Sequence, residues 1–127
     1  MSSSENTSDV PYPVHDRRKT VWIVNEGGHD YSAAETFGNL IPVTVGAINP
    51  FNPDRIMVNV REIFKLARAD DWVLISGNQM LCMVVFAMWL ERFGTANILQ
   101  WSTKKHIYVP LHVTANAIKR NARYVES

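Results

Sequence analysis

A chain of 127 residues, 46% hydrophobic and 20% charged, is the size of one domain and can build a core without metal or disulfide staples. Its formal net charge of +1 gives no long-range pull towards nucleic acid or a membrane, so neither is an expected partner on electrostatic grounds. The single cysteine, Cys82, excludes an internal disulfide and reads as a buried structural thiol in a reducing, intracellular setting.

Residues 1–19 carry Ser, Asn, Asp and Pro and lack the basic-then-apolar pattern of a signal peptide. They predict a flexible arm that closes on the basic cluster Arg17-Arg18-Lys19. A single α/β domain is expected over residues 20–113 and a basic tail over 114–127. Residues 21–24 form a short apolar run, the mark of a strand covered on both faces. The polar turn 25–31 follows, and Ser32 with Glu35 three residues on has the spacing of a capping box for a short helix. Residues 40–45 predict a second strand, placed at an edge because Pro42 cannot donate to a neighbour.

Asn52 then suits an N-cap with Pro53 at the first helical position. Ile56, Val60, Ile63, Phe64 and Ala67 recur at helical spacing and predict a helix running to about Arg68. Residues 72–75 are the third buried run. Ser76-Gly77-Asn78-Gln79 punctuates it, and residues 79–93 predict a helix apolar on almost every side, with Gly94 as a left-handed cap. That helix is shorter than the roughly 20 residues a bilayer demands. Residues 96–101 and 106–113, split by Ser102-Thr103-Lys104-Lys105, read as a hairpin. The tail from Thr114 onward carries a short basic helix through Ile118 and Tyr124.

Strands alternating with helices predict an α/β three-layer sandwich with a mostly parallel sheet. Right-handed crossovers give the order 2-1-3-4, with the fifth strand antiparallel at the edge. In this Rossmann-like arrangement the loops after strands one and three meet at the carboxyl edge of the sheet, where ligands of open α/β sheets bind.

The loops concerned are residues 25–32 and 76–79. Gly27, Gly28 and Gly77 allow close backbone approach to a ligand. The helix start at Asn78-Gln79 offers free amides to an anion. Asn25 and Ser76 add polar side chains, and Glu26, His29 and Asp30 have the chemistry to hold ribose hydroxyls or move protons. From the loop after strand two, Phe51 is placed to lid a ring and Arg55 to pair with an anion.

The plainer reading of the same residues is turn punctuation and helix capping. No GxGxxG and no Walker-type lysine is present, so no nucleotide cofactor is expected. His29, His106 and His112 lack metal-ligand spacing, so no metal is expected. Ser76 sits where a nucleophile elbow would, but its glycine pattern is incomplete and no base is evident. The clusters Arg17–Lys19, Lys104–His106 and Lys119–Arg123, with Tyr108 and Tyr124 near two of them, are more economically solvated surface than a single-strand platform. Trp89, Phe93 and the methionines give residues 79–93 the makings of a homodimer contact as well as of a core helix.

Three stretches carry a resemblance. These are Val24-Asn25-Glu26-Gly27-Gly28-His29-Asp30-Tyr31-Ser32 and the residues to Gly38, the loop Asn49-Pro50-Phe51-Asn52-Pro53-Asp54-Arg55, and Asp70-Asp71-Trp72-Val73-Leu74-Ile75-Ser76-Gly77. Together they resemble a group of small bacteriophage-encoded α/β proteins over residues 21–113. The resemblance brings no activity with it. It implies a setting, that of a phage accessory protein in the bacterial cytoplasm or a virion component. The leading expectation is a non-catalytic module binding a small anionic, nucleotide-like ligand. One alternative is a structural or interaction protein of a phage assembly that meets a second copy, or a phage or host protein, through its tails and an apolar surface. The other is a hydrolase or transferase acting on a nucleotide, with Glu26, His29 or Asp30 as acid or base.

Overall fold

Five strands make one sheet in the computed structural model, which describes residues 18–125. Strands β1 (Thr20–Glu26), β2 (Asn39–Val45), β3 (Trp72–Leu74) and β4 (Thr95–Ser102) are parallel, and β5 (Ile107–Thr114) is antiparallel to β4. The order β2-β1-β3-β4-β5 is the one that right-handed crossovers predict. A 3₁₀ helix (Ser32–Thr36) and three α-helices, α1 (Pro53–Ile63), α2 (Gln79–Phe93) and α3 (Ala115–Ala122), complete the α/β fold. Nearly all of the N-terminal arm, residues 1–17, lies outside the described residues, as do residues 126–127 of the tail.

Strand parity divides the core in two. Trp22 and Val24 of β1 pack with Val73, Ile98, Ile56 and Val60 of α1, and Leu81, Val85 and Trp89 of α2. The alternate residues Val21 and Ile23 pack on the other face with Leu74, Leu99, Tyr31, Ala34 and Tyr108. Two α-helices therefore cover one face, whereas a single 3₁₀ turn stands in the β1–β2 crossover on the other. The two border strands each contain a proline, Pro42 in β2 and Pro110 in β5, where the missing N–H is tolerated.

Helix α2 is apolar nearly all round, and the structure shows how that is resolved. Leu81, Val85 and Trp89 are buried, while Met80 (42%) and Met83 (65%) stay exposed on the outer side. The Asn78 side chain caps the helix by accepting from Met80 N at 2.8 Å, and Gly94 ends it in the left-handed region at φ 73°.

Helix α1 departs from expectation by ending at Ile63 rather than near Arg68. The Leu66 and Ala67 N–H groups both turn onto Ile63 O, and Arg68 N donates to the Asp71 carboxylate at 2.9 Å, which draws the chain out of the helix. Asn52 holds the N-cap position, but its side chain makes no capping bond. The capping box is also corrected. Tyr31, not Ser32, occupies the cap position, and Ser32 N donates instead to Asp30 Oδ1 at 2.9 Å.

Asp71 is the main polar tie within the fold. It is 1% exposed and accepts from Thr20 N at 2.9 Å, Trp22 Nε1 at 3.0 Å and Arg68 N at 2.9 Å. A buried carboxylate is tolerated only when paired and bonded in this way. It fixes the start of β1 to the loop that leads into β3.

Candidate functional site

Strand β1 ends at Asn25 and Glu26, and β3 hands over to Ile75, Ser76 and Gly77 beside it. The two ends are clamped by hydroxyls. Ser76 Oγ donates to Asn25 O at 2.9 Å, Tyr31 Oη lies 2.8 Å from Ser76 Oγ, and Gly27 N donates to Tyr31 Oη at 3.3 Å. The Asn25 side chain is also occupied, since its Oδ1 accepts from Thr44 Oγ1 at 3.0 Å. Gly77 is required here by contact as well as by conformation. Its φ is +91°, and a Cβ at this position would lie 2.7 Å from Asn25 Cβ. Its close approach is to the neighbouring strand.

Outside this clamp lies a cleft of about 420 Å³ bounded by His29, Asp30, Tyr31, Ile75, Ser76, Gly77, Trp101 and Tyr108. Four candidates from the sequence, His29, Asp30, Ser76 and Gly77, therefore share one cavity at the carboxyl edge. The others fall elsewhere. Glu26 turns back to accept from Gly28 N at 3.2 Å, Gly28 takes φ +90° in the turn, and Gly27 serves the Tyr31 hydroxyl. Asn78 is spent as the α2 cap, and Gln79 is the first residue of that helix. Phe51 is 90% exposed and lies against neither cleft. Arg55 lines a separate cleft of about 350 Å³ with Asn49, Asn52 and Asn59. That second cleft includes Ile48, which packs on the helix-covered core, so it opens on the opposite side of the sheet from Tyr31 and Tyr108.

Trp101 was not among the sequence candidates, and Tyr108 was weighed only as part of a single-strand platform beside Lys104–His106. Trp101 and Tyr108 are cross-strand partners in the β4–β5 ladder, with ring centroids 4.9 Å apart in an edge-to-face contact. His29 meets Tyr31 edge-on at 6.1 Å. The expected hairpin was the available signal, but a turn at Ser102–Lys105 would set residue 101 opposite 106; the chain turns one residue later, over 103–106, and that register sets Trp101 opposite Tyr108.

Charge in the cleft is acidic and fixed. Backbone and side-chain hydrogen bonds from Ser32 hold the Asp30 carboxyl below its ordinary value. Burial, then the neighbouring Tyr31 and Asp30 charges, push the Tyr108 phenol above its ordinary value, so it remains a neutral hydroxyl near pH 7. Among the described residues the Ser76 hydroxyl bonds to the Tyr31 hydroxyl and the Asn25 carbonyl, and neither a histidine nor a carboxylate is hydrogen-bonded to it. Asp30 is exposed and held below its ordinary value, the reverse of a carboxyl tuned to donate a proton near neutral pH. Among the described residues no group of three His, Cys, Asp or Glu is arranged to hold a metal ion, and no helix is long and apolar enough to cross a membrane.

Residues 13–115 match the model of a family described as the phage Pam3 gp32-like protein. No curated protein and no solved structure matches the chain.

Proposed function

The chain belongs to the phage Pam3 gp32-like family, and we propose that it works there as a non-catalytic binding module for a small, ring-bearing, nucleotide-like molecule. One observation carries the reading. At the carboxyl edge of an open α/β sheet, polar loop residues and three aromatic side chains converge on one cleft. Stacking on Trp101 and Tyr108 would hold the ring, and Asp30, His29 and the Gly77 backbone would orient it. The bacterial cytoplasm is the setting this role fits best, with the virion as the other.

Mass spectrometry of small molecules that co-purify after incubation with bacterial lysate tests this. A stoichiometric, chemically intact ring compound, lost in Trp101→Ala, is the expected result. A chemically altered compound would replace the module with an enzyme. Trp101 is the better probe than Gly77, because a side chain at 77 strikes Asn25 and disturbs the fold itself.

The exposed Met80 and Met83 on α2 favour a second reading, an assembly contact with another copy or with a phage or host protein. A shift of the protein to monomer in Met83→Lys, measured by light scattering, would support it. A wild-type protein that is monomeric at high concentration would remove the homodimer form of it.

A further inference from the structure

Two polar groups of the cleft are left with capacity that the protein does not use. Tyr108 is 8% exposed, yet its hydroxyl makes no hydrogen bond among the described residues. The one fully enclosed polar side-chain atom without a partner among them is Trp89 Nε1, so the Tyr108 hydroxyl is not sealed in the core. Its residue instead forms part of the cleft wall, beside Asp30 and Tyr31. A hydroxyl that reaches the cleft without a protein partner is one that water or a ligand satisfies. Asp30 lines the same cleft as a carboxylate and is near enough to act on the Tyr108 phenol through its charge. Ser32 takes up part of its accepting capacity, and a carboxylate has room for about four hydrogen bonds.

Among the described residues neither lysine nor arginine lines this cleft, and its one fixed charge is negative. A phosphate brought inside would face the fixed charge of Asp30, with His29 as the one titratable nitrogen side chain on the wall to offset it. It would have to point outwards, towards the hairpin turn where Lys104 and Lys105 follow Trp101. The ring platform carries no such restriction, since stacking is indifferent to phosphorylation.

Taking the cleft as the binding site, we infer that Tyr108 and Asp30 form a donor–acceptor pair that reads a neutral hydroxyl, amine or amide edge, so that the cleft selects a nucleoside over its phosphorylated form. Tyr108 gives its hydroxyl proton to an oxygen or ring nitrogen of the ligand. Asp30 receives an O–H or N–H from the same edge. Anionic character, the property first expected of the ligand, plays no part in this recognition.

Calorimetric titration of the full chain with adenosine, guanosine, cytidine and uridine, and with their 5′-monophosphates at fixed salt, tests the pair. At least one nucleoside should bind as tightly as its monophosphate or more tightly. Tyr108→Phe and Asp30→Asn should each weaken that nucleoside roughly tenfold, the worth of one good hydrogen bond. Asp30→Asn should weaken the monophosphate less, because it also removes the repulsion. Circular dichroism confirms that both variants fold, and Asp30, on the surface, tests the idea even if Tyr108→Phe proves unstable. A monophosphate more than about tenfold tighter than its nucleoside, or unchanged affinity in both variants, overturns the pair but leaves the cleft a nucleotide site. No binding by any of these compounds overturns the pair and the nucleotide-like reading together.

Discussion

Replacing Asp71 by alanine should be among the most damaging single changes in the chain, although the residue lies at the end of the sheet away from the cleft. The carboxylate receives three donors, Thr20 N, Trp22 Nε1 and Arg68 N, at 2.9, 3.0 and 2.9 Å. Trp22 is 2% exposed, so its indole N–H would lose its partner with no water to replace it. An unpaired buried donor costs about 1–3 kcal/mol. The two backbone donors are only partly buried and would recover some hydration, adding about 0.5–1 kcal/mol each. The total is about 2–5 kcal/mol, a large share of the 5–15 kcal/mol on the order of which domains are stable. At this length it corresponds to a fall in Tm of about 7–20 °C. Urea unfolding followed by tryptophan emission reads it directly. Asp71→Asn, which keeps one acceptor and turns an amide towards a donor, should fall between wild type and alanine. A loss below about 1 kcal/mol in Asp71→Ala would show that the carboxylate is not the tie described here.

Three further outcomes follow from the same structure. Gly77→Ala combines a left-handed backbone with a Cβ 2.7 Å from Asn25 Cβ and should cost about 2–4 kcal/mol in chemical denaturation, whereas Gly27→Ala, with nothing within 4 Å, should stay within about 0.5 kcal/mol. Asp30 has a lowered folded value, so the Ser32 hydrogen bond contributes fully above the ordinary carboxyl value of 3.8 and fades as the pH falls through the folded value; a carbon-detected NMR titration placing Asp30 at or above 3.8 would contradict this. Burial raises the Cys82 thiol above its ordinary 9.0, so alkylation at neutral pH should be slow in the native protein and fast in urea; equal rates would contradict it.

The fold was legible because its signals are local. Short apolar runs at β1 and β3, Pro42 in β2, and Gly94 after α2 each state a constraint that no distant residue can cancel, and crossover handedness then fixes the strand order. The α1 boundary was not local. It is set by Asp71, which takes the Arg68 N–H and is itself held by β1. The cleft was legible only by half. The loops after β1 and β3 could be placed at one edge, which brought His29, Asp30, Ser76 and Gly77 together. Periodicity marks Trp101 and Tyr108 as apolar strand residues and cannot say that their face goes uncovered. Asn25 has the chemistry of a ligand contact, and that chemistry is used on Thr44. Phe51 and Arg55 follow β2 at the same edge, but the loop folds towards the helices and opens on the other side.

The unequal clothing of the sheet bears on how the molecule moves. On the helix side, α1 and α2 lock against each other through Phe64, Trp89 and Phe93, whose rings meet at 5.4, 5.6 and 5.5 Å. The cleft side has no such ring cluster between helices among the described residues: one wall is the loop 29–31, which leads into the 3₁₀ turn, and the other is the β4–β5 hairpin, with no strand ladder between them. A stiffer back than front is the expectation, which amide hydrogen exchange would read as slower exchange in α1 and α2 than in the loop 29–31 and the hairpin tip. Breathing of the front would admit a flat ring without disturbing the core, and an occupant would be felt first as a quieting of that turn.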